Sequence, residues 1–155
     1  MKRIYNFQLL KNEIKMQDGV TKKYLDGLTY NVIGAAIEVH KLLGPGLLES
    51  VYHKCLKYEL YLRGIKFTSQ EIVPVIYKGL TIEAELRSDL HIEGCLIVEL
   101  KSIDALAPIH EAQILTYMRL AEAPKGVLIN FNVVNVFKEG QRTFVNELFR
   151  GLPDA

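Results

Sequence analysis

Hydrophobic residues recur along this chain with two different periods, and the period changes near residue 65. In GLTYNVIGAAIEVHKLL, residues 27–43, Val32, Ile33, Ala36, Ile37, His40 and Leu43 fall at helical spacing. Gly44-Pro45-Gly46 ends that helix and turns the chain. A second helix is expected over about 47–63, with Leu48, Val51, Tyr52, Cys55, Leu56 and Leu62 as its apolar stripe and Gly64 as its C-terminal cap. Beyond it, residues 66–78 are rich in β-branched and aromatic types and read as one strand, with a turn after Tyr77. TIEAELRSDL, residues 81–90, alternates: Ile82, Ala84, Leu86, Ser88 and Leu90 point one way, Glu83, Glu85, Arg87 and Asp89 the other.

HIEG then turns the chain into a strand over 95–102. A third helix is expected over about 108–122, with Pro108 in its first turn. KGVLINF reads as a fully buried strand, and residues 133–148 as one or two edge strands. The order is helix, helix, three strands, helix, strand, edge strands. That predicts an α/β sandwich around a mixed sheet, not a repeating βαβ array. Residues 1–23 read as an N-terminal appendage, a short helix or a hairpin-forming arm, ahead of a single domain over 24–155.

Composition narrows the class. A chain of 155 residues, 49% hydrophobic and 24% charged, can bury a core without staples. A net charge of +1 excludes a generally polycationic binder but leaves room for a local basic groove. Charge is unevenly placed. Residues 81–111 carry seven acids against Arg87 and Lys101, while residues 1–23 carry six Lys/Arg against Glu13 and Asp18. The acidic stretch reads equally as a cation site or a solvated face. Cys55 and Cys95 form no CxxC pair, so no zinc or redox motif is expected. No apolar run is long enough to span a membrane, and Asn, Gln, Lys and Glu break any signal-peptide core near the start. The expected location is the cytoplasm.

The candidate chemistry lies in CLIVELKS, residues 95–102. Cys95, Ile97, Glu99 and Lys101 share one face of that strand; Leu96, Val98 and Leu100 share the other. The turn decides whether Asp89 meets Glu99. A two-residue turn at Glu93-Gly94 would pair Asp89 with Val98. A three-residue loop, Glu93-Gly94-Cys95, or a bulge, would set Asp89 opposite Glu99. Two opposed carboxylates are destabilising unless something compensates, and an oxygen-liganded Mg²⁺ or Mn²⁺ would. On that argument Asp89→Ala should be neutral or stabilising without metal. Lys101 could then orient water and stabilise charge on a phosphate. The plainer reading is a Glu/Lys pair on an exposed face. Gln113 and Tyr117 share a helix face one turn beyond His110, and Glu49 and Tyr52 share another. Plainer readings exist here too: core tyrosines with satisfied hydroxyls, a solvent-facing amide, an acid in a helix's first turn.

Taken in order, GLLESVY (46–52), SDL (88–90), VELK (98–101), QILTY (113–117) and LINF (128–131) resemble the GxxExxY proteins of the PD-(D/E)xK nuclease superfamily. The likeness covers about residues 28–148. QILTY is similar to the Gln-x-x-x-Tyr element of RecB-type nucleases. The resemblance implies a restriction-endonuclease-like α-β-β-β-α-β core and a metal-dependent nuclease, with Mg²⁺ or Mn²⁺ as cofactor. It implies Asp89, Glu99 and the Leu100 carbonyl as metal ligands and Glu49 near the metal, directly or through water. Lys101 would be the catalytic lysine, and Gln113 and Tyr117 would line the site. His40, Tyr52 and Arg142 are accessory candidates. The usual proline before the catalytic Asp is Ser88 here.

The implied partner is nucleic acid, DNA before RNA, with no membrane and with room for an oligomer. Lys22, Lys23, Arg63, Lys66, Lys78, Lys125, Lys138 and Arg142 are candidate phosphate contacts. Two other readings stand beside it: a non-catalytic nucleic-acid- or partner-binding module on the same fold, and an enzyme acting on another substrate such as a nucleotide.

Overall fold

A computed structural model describes residues 18–82 and 86–155. Helix α1 spans Lys22–Leu43, five residues ahead of the expected start. Thr21 caps it by accepting the Tyr24 N–H at 3.0 Å, and the apolar stripe reaches back through Leu25 to Val20 in the core. Gly44, at φ +69°, ends the helix with its N–H on the His40 carbonyl. Helix α2 spans Glu49–Leu62. Strands β1 (Phe67–Ile72), β2 (Val75–Tyr77), β3 (Leu80–Ile82), β4 (Arg87–Ile92) and β5 (Leu96–Lys101) follow. Then come α3 (Pro108–Leu120), β6 (Lys125–Asn130), a single π-turn (Val136–Gly140), β7 (Gln141–Val145) and the short α4 (Glu147–Arg150). The arm expected over residues 1–23 lies, for residues 1–17, outside the described residues.

Five strands make one sheet in the order β1-β4-β5-β6-β7, parallel only between β5 and β6. This is the expected α-β-β-β-α-β order, with β1, β4 and β5 as the three strands and a β2-β3 hairpin inserted. Two expected strands are each split. The run 66–78 breaks at Val73-Pro74, because proline has no N–H to donate to a ladder; the Val73 N–H goes instead to the Leu86 carbonyl at 2.7 Å. The run 81–90 is likewise not one strand. Thr81 and Ile82 belong to the hairpin, Arg87 onward to the main sheet, and the alternation through Glu83, Ala84 and Glu85 falls outside the described residues. Leu86 packs on the α3 side and Leu90 on the opposite side, so they do not share a face. Only one edge strand, β7, follows β6. No helix among the described residues is long and apolar enough to cross a membrane.

The sheet separates two cores. Leu25, Val32 and Ala36 of α1 and Tyr52, Leu56 and Leu60 of α2 bury Leu90, Ile92, Leu96, Val98 and Leu100. On the other face α3 lays Ile114, Tyr117 and Met118 over Ile97 and Leu128. Two glycines permit close approaches. A Cβ on Gly126 would stand 2.6 Å from Met118 Sδ, and one on Gly140 would stand 2.4 Å from the Asn130 carbonyl oxygen and 2.9 Å from Val133 Cγ2. The thioether can swing aside; the β6 backbone cannot. Gly140→Ala is therefore expected to cost about 1–3 kcal/mol, and more than Gly126→Ala. Urea melts of both variants would check the order, and equal midpoints would contradict it.

Candidate active site

The β4–β5 connection is the three-residue loop Glu93-Gly94-Cys95, with Glu93 and Gly94 both at positive φ. It pairs Leu90 with Val98 and Ile92 with Leu96, a register that carries Asp89 opposite Glu99. The ladder stops there. In its place Asp89 Oδ2 accepts the Leu100 N–H at 2.8 Å, and Glu99 Oε1 accepts the Asp89 N–H at 3.0 Å. Each carboxyl group caps the other residue's strand, so β4 and β5 part at this point without stranding their backbone donors.

Several elements hold the fork. Gln70 of β1 lies in the left-handed region at φ +55°, uncommon for a non-glycine residue within a strand. Its amide donates to Asp89 Oδ1 at 3.2 Å. His53, one turn along α2 from Glu49, puts Nε2 3.2 Å from the Asp89 carbonyl; a carbonyl only accepts, so this nitrogen carries the proton. Ser69 Oγ lies 3.3 Å from the same nitrogen. His91, two residues along β4 from Asp89, is buried and bonds Glu71 Oε2 through Nδ1 at 3.0 Å. Burial raises the Glu71 carboxyl, but that hydrogen bond and the His91 charge outweigh it and hold it below its ordinary value. Gln70, His53, Ser69, Glu71 and His91 were not among the sequence candidates. No local pattern in the sequence marks any of the five.

Electrostatics ties the expected residues into one cluster. Glu99, 4% exposed, has its carboxyl pushed up to about 9, first by burial and then by the Asp89 charge; the Asp89 N–H and Lys101 pull the other way. Glu49 is raised by burial and by Asp89, against Lys101 and His53. The Tyr117 hydroxyl is raised by burial and by Glu99, while the hydrogen bond from Gln113 Nε2 at 3.2 Å favours its charged form. Glu49, Asp89, Glu99, Lys101 and Tyr117, with Gln113 attached through Tyr117, thus lie within reach of one another's charges, brought together from α2, β4, β5 and α3.

The accessory candidates stand elsewhere. Tyr52 stacks on Phe131 with ring centroids 4.5 Å apart. Its hydroxyl donates to the Gly44 carbonyl at 2.5 Å and accepts the Leu47 N–H at 3.2 Å, pinning the Gly-Pro-Gly turn just ahead of Glu49. His40 Nε2 bonds the Val133 carbonyl at 2.8 Å. Arg142 pairs with Glu111 beside the start of α3. Of the phosphate candidates, Lys125 is a correction: it is buried and bonded to Asp26 at 2.5 Å, so it faces no groove. Lys22 pairs with Asp154, Arg63 with Glu59, and Lys78 lies over the Tyr77 ring.

A hard divalent cation suits this donor set. Among the described residues, no three His, Cys, Asp or Glu side chains close around one point. An ion here would rest on two carboxylates, a main-chain carbonyl and water, the mixture Mg²⁺ accepts. A raised Glu99 carboxyl has a further consequence. The folded state keeps that proton between about pH 4.5 and 9 while the unfolded chain releases it. Stability is then greatest below the unfolded value and is lost as pH rises through the folded one. Melting curves in EDTA should show the melting temperature falling from pH 5 to 9, and Glu99→Gln should flatten most of the slope. An unchanged slope in that variant would place the titration elsewhere.

A family model described as the PD-(D/E)XK nuclease superfamily matches residues 26–143. No curated protein and no solved structure matches the chain.

Proposed function

From the premise that the chain belongs to the PD-(D/E)XK nuclease superfamily, we propose that it is a divalent-cation-dependent nuclease hydrolysing nucleic-acid phosphodiesters, DNA before RNA. The observation that carries the reading is the fork at which Asp89 and Glu99 cap each other's strands, with Lys101 next along the same face of β5. Such a fork gathers two acids and a cation at a sheet end where a plain ladder would have served stability better.

Asp89, Glu99 and the Leu100 carbonyl would hold Mg²⁺ or Mn²⁺, with Glu49 approaching from α2 directly or through water. The ion, when bound, would supply a Lewis acid to the scissile phosphate and an acidified water. Lys101 would orient that water and balance charge building on the phosphate. Gln113 and Tyr117 would hold the substrate or the lysine, in the manner of a RecB-type Gln-x-x-x-Tyr element. Gln70 and His53 would fix Asp89 by its carboxylate and its main chain. The finer placement among GxxExxY proteins rests on GLLESVY at 46–52. Residues 24–155 would make up the nuclease-like unit.

The alternative is a non-catalytic nucleic-acid- or partner-binding module, favoured by one observation: both Asp89 oxygens already have donors, from Leu100 and Gln70. One assay separates the two. Labelled single- and double-stranded DNA and RNA are incubated with Mg²⁺, Mn²⁺ or EDTA, with Asp89→Asn purified alongside as the blank. Cation-dependent cleavage above the blank supports the nuclease. Cleavage equal to the blank in every condition supports the module.

A further inference from the structure

The proposed chemistry leaves one built feature unused, on the far side of the Gly-Pro-Gly turn. The C-terminal end of α1 and the loop after β6 line an open depression of about 250 Å³, bordered by Ile37, His40, Lys41, Val134, Val136 and Phe137. That is smaller than the roughly 300–1,000 Å³ that takes a whole cofactor, and suits one planar ring. The lining is apolar and basic, with no carboxylate. Val134 is 87% exposed and Phe137 59% exposed, so two large apolar side chains of this lining stand in solvent.

The loop is held in this shape. Phe131 N–H bonds the Lys101 carbonyl at 2.9 Å, so the loop leaves β6 beside the candidate lysine. Asn130 fastens it to residue 103: its side chain accepts the Ile103 N–H and donates to the Ile103 carbonyl. His40 takes the Val133 carbonyl at 2.8 Å. The chain then enters the π-turn Val136–Gly140, a rare conformation. Asn135 caps that turn on the Lys138 N–H, and Gly140 lets it lie against the Asn130 carbonyl. Glu139, the only acid of the turn, accepts the Asn135 N–H at 3.4 Å and is exposed like Lys138, so the turn itself presents one charge of each sign and the lining cation is Lys41.

We propose that this shelf binds one unpaired nucleobase of a single-stranded nucleic acid, stacked on Phe137, with Lys41 and Lys138 against the neighbouring phosphates. An exposed aromatic beside cations is the chemistry of single-strand binding, because every base offers a ring face and every linkage a charge. Residues 42–48 join Lys41 of the shelf to Glu49, and the Phe131 N–H bonds the Lys101 carbonyl, so the shelf is built on the same elements that carry the candidate site. The proposal rests on the nucleic-acid reading above and names the kind of strand that site takes.

Fluorescence anisotropy with labelled oligo-dT in EDTA tests it without turnover. Phe137→Ala should weaken binding by roughly 5- to 100-fold, the worth of one stacked base, and Phe137→Trp should restore it. An oligonucleotide carrying abasic sites along its length should bind parent and Phe137→Ala equally, and a blunt duplex should show little difference between them. Equal affinity of parent and Phe137→Ala for oligo-dT would overturn the proposal, as would parent protein that binds no oligonucleotide. Sedimentation showing a dimer that Phe137→Ala dissociates would also overturn it, by giving the shelf to a second copy of the chain. The nuclease reading is judged separately by the cleavage assay: stacking without cleavage would sink only that reading, and cleavage without a Phe137 effect only this one.

Discussion

Lys101→Ala is expected to lose at least about 10²-fold in turnover while divalent-cation binding stays nearly intact, the usual scale for one preorganised charge stabiliser. The ammonium lies at the end of β5, one alternation beyond Glu99, and its charge lowers both the Glu99 and the Glu49 carboxyls. On the proposed reading it would act on the water and phosphate without being a ligand itself. Arginine should rescue poorly, because its planar fork cannot set a compact charge at the same point. Single-turnover rates on labelled DNA, with Mn²⁺ titrated by calorimetry, separate the two roles. A Lys101→Ala protein that cleaves like the parent would reduce the lysine to a counter-ion of the acids and favour the binding module.

The second large effect concerns Asp89 and depends on what replaces it. Sequence reasoning expects Asp89→Ala to be neutral or stabilising without metal, since it removes one of two opposed acids. The structure reverses that expectation. Asp89 is the acceptor for the N–H of Leu100, which is fully buried, and alanine would leave that donor without a partner. The loss is about 1–3 kcal/mol. Asparagine keeps an acceptor oxygen while removing the charge that pushes Glu99 up. Asp89→Asn should therefore melt at or above the parent in EDTA, and Asp89→Ala several degrees below it. Both should lose Mn²⁺ affinity, and both should lose turnover by more than about 10³-fold, since the cation's stabilisation is worth several kcal/mol. Equal melting temperatures for the two variants would show that the Leu100 bond carries no weight. Unchanged Mn²⁺ affinity in either would remove Asp89 from the ligand set.

What could be read in advance follows from where the signals lie. Glu99 and Lys101 stood out because they interrupt an apolar strand, and Asp89 because it closes an alternating one. Whether the two acids met turned on one residue of loop, and Glu93-Gly94-Cys95 is compatible with either length until the backbone is seen. The α-β-β-β-α-β order survived in outline, but two strands were drawn too long. Pro74 carried the warning for the first; for the second, nothing in the alternation of TIEAELRSDL marks where the hairpin ends. Gln70 was out of reach, because no local pattern announces a left-handed glutamine inside a strand. His53, Ser69, Glu71 and His91 come from three elements and converge only once the sheet and α2 are packed together.

The turned backbone at Gln70 also bears on how these molecules treat one another. Strand β1 is an outer strand of the five-stranded sheet, and its ladder to β4 passes from Ser69–Leu90 to Glu71–Ser88 with no pair at Gln70. A kinked border offers a poor template for a strand arriving from another copy, because the row of free donors and acceptors loses its even spacing. The residue that braces Asp89 thus makes this outer strand less adhesive. Straightening it in an engineered variant would risk fibrillar or gel-like association at high concentration.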